Sequence, residues 1–179
     1  MSAADARLDL DRIGREALPG VLDALLGFPA SELPSAGPGV REPAGEILWA
    51  TVRLCGPRVS GAVHLLLPRS FASEAVVRLL GTAHHPTPDS AADVAGELCN
   101  MAAGQVAARL RLEGYPCELG IPDVVQEPAV GGAALLPSHP EVQQTTSRQQ
   151  PRPTDHGRTD WSCQGHRITL EIRLDYPPT

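Results

Sequence analysis

Glu97 and Asn100 are the two side chains whose types and spacing suggest joint chemistry. They lie three residues apart in the run DVAGELCNMAAGQVAARL, which starts at Asp93. On an α-helix that spacing makes them neighbours on one face. A carboxylate can pair with an ammonium or guanidinium group. A carboxamide both donates and accepts hydrogen bonds. Asp93 and Gly104 fall on the same outward stripe, at i and i+11 relative to Glu97 at i+4. Taken alone, such residues on a helix surface are ordinary solvated groups.

The helix that must position them spans 89–114 by pattern. Ser90 serves as its N-cap and Gly114 as its C′ residue. Ala91, Val94, Ala95, Leu98, Met101, Ala102 and Val106 gather on the opposite, buried side. Asp93, third after Ser90, can complete the cap.

Around this helix the pattern predicts a first helical stretch from Leu8 to Leu26, kinked or split at Pro19. A loop over 28–45 follows, then strands over 47–54 and 59–67 joined by a tight turn at Gly56 and Pro57. His64, on the polar side of the second strand, reads as solvated or singly hydrogen-bonded, with no role. A second helix over 71–80, capped by Ser70, turns Val76, Val77, Leu79 and Leu80 inward. His84 and His85 sit in the next loop without a carboxylate at metal-binding spacing. A strand from Tyr115 is interrupted at Pro122. The stretch 137–159 has no apolar periodicity and reads as a disordered insertion. The last strand alternates cleanly, with Ile168, Leu170, Ile172 and Leu174 on one face and Arg167, Thr169, Glu171 and Arg173 on the face left wet or covered by another chain. The whole predicts an α+β fold: a single domain over 1–179, with an antiparallel-rich sheet and long helices packed on one face.

Composition narrows the function classes. The chain has 179 residues, 42% hydrophobic, which suits one domain with a real core. Its net charge is −6, and all 15 basic residues are arginines, scattered along the chain. Neither a nucleic-acid footprint nor a polybasic membrane patch is present. No apolar run is long enough to span a bilayer, and the charged N-terminus is unlike a signal peptide, so a cytoplasmic protein is expected. The four cysteines lack metal-ligand spacing and are expected to be reduced. No Walker, Rossmann or nucleophile-elbow glycine pattern is found, and no cofactor or metal of its own is expected.

The run from Asp93 to Gly104, with Glu97, two intervening residues and Asn100, resembles the signature helix of the CheX/CheC/FliY family of chemotaxis phosphatases. The strand 59–67 with Gly61 inside it, the helix ending at Gly81, and the run from Leu119 to Val125 resemble, in order, the surroundings of that helix in CheX. Leu18 to Gly27 and the final strand are also similar. The resemblance implies a protein phosphatase acting on the aspartyl phosphate of a CheY-like receiver domain, with Mg²⁺ held by the receiver. It implies that Asn100 orients the attacking water and that Glu97 pairs with the receiver's lysine. Gly104 and Ala103 would keep the helix face low. The first helix offers Glu16 and then Pro19 where a second Glu-x-x-Asn site would need Asn, so one site is expected, as in CheX. Gln105 stands where the family often has Asn. A homodimer through the sheet, with the final strand as an interface, is a further expectation. The competing reading is a non-catalytic CheX-like module that docks a receiver or a motor-switch protein.

Overall fold

The computed structural model describes residues 8–34, 45–128 and 154–177. Three helices and seven strands follow in the order α1 (Leu10–Leu26), β1 (Ala30–Leu33), β2 (Glu46–Cys55), β3 (Ser60–Pro68), α2 (Arg69–Leu80), α3 (Pro88–Leu112), β4 (Glu118–Leu119), β5 (Asp123–Pro128), β6 (Thr154–Cys163) and β7 (His166–Asp175). The strands form one antiparallel sheet in the order β1-β6-β7-β3-β2, and β4 and β5 share the far edge of β2. The expected α+β architecture is present.

The helices cover one face of this sheet. Leu48, Ala50, Val52 and Leu54 of β2, Val63, Leu65 and Leu67 of β3, and Ile168, Leu170, Ile172 and Leu174 of β7 point into a common core with them. Helix α3 lies over β2 and β3, with α1 and α2 against it, and α1 also reaches β6 and β7. Burial of these alternating apolar side chains supplies the main driving force.

Several elements differ from the sequence reading. Helix α1 is one helix through Pro19 rather than two abutting ones. Pro19 removes one ladder donor, but Ala17, Leu18, Val21 and Leu22 on both sides of it are buried on one face, and that packing holds the helix together. Asp9 caps it by accepting from Arg12 N at 2.9 Å. Helix α2 starts at Arg69 with Pro68 at its N-cap, so Ser70 is not the cap. Its buried residues are Phe71, Ala72, Ala75 and Val76; Leu79 and Leu80 are exposed instead. The predicted loop 28–45 contains strand β1, paired with β6, while 35–44 lies outside the described residues.

Strand β6 begins at Thr154, inside the stretch 137–159 read as an insertion, and 137–153 lies outside the described residues. Its inward positions are Gly157, Thr159, Trp161 and Cys163, all buried. A Cβ on Gly157 would stand 2.5 Å from Leu10 Cβ, so α1 sits on the strand where it has no side chain.

The polar face of β7 is not wet. Glu171 is 2% exposed and Thr169 5%. Glu171 accepts from Arg158 at 3.2 Å and Arg173 at 3.4 Å, and Asp160 accepts from Thr169 and Arg167. His64 is buried too, within hydrogen-bond distance of Thr51 Oγ1 at 2.9 Å and accepting from Trp49 Nε1 at 3.3 Å, rather than solvated. Cross-strand register makes these partners: Asp160 faces Thr169, Arg158 faces Glu171, and Thr51 faces His64. Strand β7 also has both backbone edges spent, on β3 and β6.

Candidate functional site

Glu97 and Asn100 sit near the middle of α3. The helix is capped by Thr87, whose side chain accepts from Ser90 N at 3.1 Å, while Ser90 Oγ accepts from Thr87 N at 2.9 Å. This reciprocal capping box moves the helix start ahead of Ser90. Pro88 takes the first position, where its missing N–H costs nothing. Asp93 lies a turn inside the helix and is not a cap partner, correcting the sequence reading. The far end closes at Gly114, whose φ of +87° is the conformation that favours glycine.

The buried face of α3 consists largely of small residues: Ala91, Ala95, Gly96, Cys99, Ala102 and Ala103, with Leu98, Val106 and Leu110 among them. These let the helix seat close to the sheet. Cys99 Sγ donates to Ala50 O at 3.4 Å, and burial pushes its thiol up to about 12. Val94 and Met101 are only half-buried. Ala103 is fully buried, so it does not line the outer face as expected.

On that outer face Asp93 and Glu97 are exposed, and Asn100 and Gly104 are half-exposed. Among the described residues, neither the Glu97 nor the Asn100 side chain has a hydrogen-bond or ion-pair partner. Both are therefore available, one turn apart, to a group arriving from outside. A Cβ built on Gly104 meets nothing within 4 Å, so this position opens to solvent.

The flanks of the stripe are fixed. On one side Gly96 packs against β5: a Cβ there would lie 3.4 Å from Val124 Cγ2 and 3.6 Å from Pro122 Cβ. On the other side α1 is tied to α3 by ion pairs, Arg109 to Glu16 at 3.1 Å and Arg12 to Glu113 at 2.8 Å. Glu16, the residue that would open a second Glu-x-x-Asn site, is thus engaged inside the protein. Gly96 and its packing against β5 escaped the sequence reading. The signal available was a glycine inside a helical pattern, which marks close approach by a neighbour.

Asp89, Asp93 and Glu97 make the N-terminal half of the stripe acidic. Such a face repels a free phosphate, so chemistry at a phosphoryl group here requires cations brought by a partner. Among the described residues no group of His, Cys, Asp or Glu is arranged to hold a metal ion, and His84 and His85 are exposed in the loop before α3. An open cleft of about 320 Å³ lies elsewhere, lined by Glu46, Ile47, Pro68, Arg69 and Ser73 among others and by no residue of α3. The stripe itself is a helix surface, a shape suited to a protein rather than to a small molecule.

The family model described as chemotaxis phosphatase CheX matches residues 48–134, a segment containing most of β2, then β3, α2, the whole of α3, and β4 and β5. No curated protein matches the chain by sequence. Among solved structures, the chemotaxis protein CheX of Desulfovibrio desulfuricans is similar with a TM-score of 0.66 at 19% identity, covering 94% of this chain and 100% of that one. CheX of Vibrio vulnificus gives 0.66 at 17% identity, covering 96% and 100%. A chain of the CheX–CheY–BeF₃–Mg²⁺ complex of Borrelia burgdorferi gives 0.58 at 16% identity, covering 94% and 99%. At these identities the likeness establishes the fold. The resemblance drawn from the signature helix and its surroundings is thereby matched in sequence and in architecture.

Proposed function

Because the chain is CheX-like over 48–134 and in its fold, we propose that it hydrolyses the aspartyl phosphate of a CheY-like receiver domain in chemotaxis or related two-component signalling. The observation that carries this reading is the unpartnered Glu97 and Asn100 pair on the open face of α3, inside the matched segment.

An acyl phosphate is already reactive, and the receiver brings its own Mg²⁺ and lysine. The phosphatase therefore has chiefly to place a water in line. Asn100 enters the receiver's site and holds that water through its carboxamide. The water oxygen attacks phosphorus as the bond to the aspartyl oxygen breaks, leaving a free carboxylate and inorganic phosphate. A neutral amide suits this place, where a carboxylate would face the phosphoryl oxygens. Glu97 forms an ion pair with the receiver's lysine and sets the register of the two proteins. The acidic stripe and the absence of any lysine in the chain agree with this division, in which the cations come from the receiver. The protein acts in the cytoplasm with its substrate, and no helix among the described residues is long and apolar enough to cross a membrane. A homodimer is the assembly the family likeness suggests, and light scattering reads it directly.

The test is phosphate release from phosphorylated receivers encoded in the same genome. Asn100→Ala removes the group that places the water and lowers kcat about a hundredfold. Glu97→Ala raises KM about tenfold. Receiver binding by both variants with no acceleration by the wild type would replace the enzyme with a non-catalytic reader of the receiver's state.

A further inference from the structure

Between β4 and β5 the chain turns through Gly120, Ile121 and Pro122, and Ile121 is 90% exposed. Both flanks of this turn are anchored. Leu119 and Glu118 are in register with Leu54 and Cys55, and Gly120 N donates to Arg53 O at 2.8 Å. Pro122 and Val124 lie against Gly96, one helical turn before Asn100. The fold thus leaves an apolar side chain uncovered next to Pro122, which packs on α3 at Gly96, the residue before Glu97.

We propose that Ile121 is the apolar anchor of the receiver interface, seated on an apolar surface beside the receiver's phosphorylated aspartate. This rests on the receiver reading above. Glu97 and Asp93 are exposed, and exposed ion pairs steer and orient while contributing little affinity. Affinity comes from desolvated apolar anchors near them. Ile121 suits that task because its turn is pinned on both sides, so little conformational freedom is lost on docking. The acidic neighbours also select the occupant. Two copies of this face would bring Asp93 and Glu97 against their like, whereas a receiver offers a lysine.

The experiment measures binding of receivers from the same genome, loaded with beryllofluoride and Mg²⁺, to the wild type, Ile121→Ala, Ile121→Glu and Asn100→Ala, alongside phosphate release. Ile121→Ala weakens binding about tenfold and Ile121→Glu weakens it further, while kcat at saturating receiver and the melting temperature stay at wild-type values. Unchanged affinity in both Ile121 variants overturns the assignment. So does unchanged affinity together with a drop in native mass, which gives Ile121 to self-association. An inactive Asn100→Ala with silent Ile121 variants removes the anchor and keeps the phosphatase. A fully active Asn100→Ala with weakened Ile121 variants keeps the anchor and removes Asn100 as the group that places the water. Failure of every receiver to bind the wild type overturns both.

Discussion

Gly104 separates what α3 needs for stability from what its outer face needs for function. It lies one turn beyond Asn100 in the interior of α3, where glycine is about 1 kcal/mol less favourable than alanine. An added Cβ meets no atom within 4 Å, so nothing in the fold opposes the change. Gly104→Ala is therefore expected to stabilise the protein by about 1 kcal/mol, raising Tm by about 2–4 °C for a domain of this size. Gly104→Met keeps most of that gain, because methionine is also a good helix former, but raises a long side chain beside Asn100. A receiver lying on the stripe meets that side chain before its phosphate reaches the carboxamide, and kcat/KM falls at least about tenfold. Thermal unfolding and phosphate release on the same preparations read the two effects. A lower Tm for Gly104→Ala would show that the face is not open. Wild-type kcat/KM in Gly104→Met would show that the receiver does not use it.

Three further outcomes follow from the packing. A Cβ on Gly61 would fall 1.9 Å from Arg173 O, so Gly61→Ala forces β3 and β7 apart and costs about 3 kcal/mol in denaturant unfolding; an unchanged midpoint would contradict the register Gly61 to Leu174. Cys55 is exposed, while burial pushes the thiols of Cys99, Cys117 and Cys163 up, so a thiol reagent at pH 8 labels Cys55 first and Cys99 only on unfolding; early labelling of Cys99, read by mass spectrometry, would refute the seating of α3. Burial opposes ionisation of Asp160, but hydrogen bonds from Arg167 and Thr169 and the charges of Arg158 and Arg167 outweigh it, and its carboxyl lies below the ordinary 3.8. Its contribution is complete above that value and is lost as pH falls through the lower folded one. Asp160→Asn therefore costs about 3 kcal/mol at neutral pH and has a weaker acid dependence than the wild type; equal stability of the two at pH 7 would refute the role of this buried pair.

Much of the fold was legible wherever one face of an element is apolar and the other polar. The period-two pattern of β2, β3 and β7 and the small-residue face of α3 placed the sheet, the core and the outward stripe. Strand β6 was not legible because its inward positions include Gly157 and Thr159, one chosen for contact with α1 and the other polar, so no alternation shows. Strand β1 is short and rests on pairing with β6, a long-range partner that local pattern cannot reveal. The burial of Asp160 and Glu171 depends on arginines brought opposite by register. At the site, spacing showed only an outward stripe of Asp93, Glu97, Asn100 and Gly104, and it was the family resemblance that singled out Glu97 and Asn100 from it. Gly96 and Ile121 acquired meaning only when β5 was seen against the helix.

The most direct test is the rate of phosphate release from a phosphorylated receiver with wild-type protein and with Asn100→Ala at saturating concentration. The account predicts acceleration by the wild type, about a hundredfold less by the variant, and intact binding of the receiver by both. Equal rates for the two proteins would contradict it.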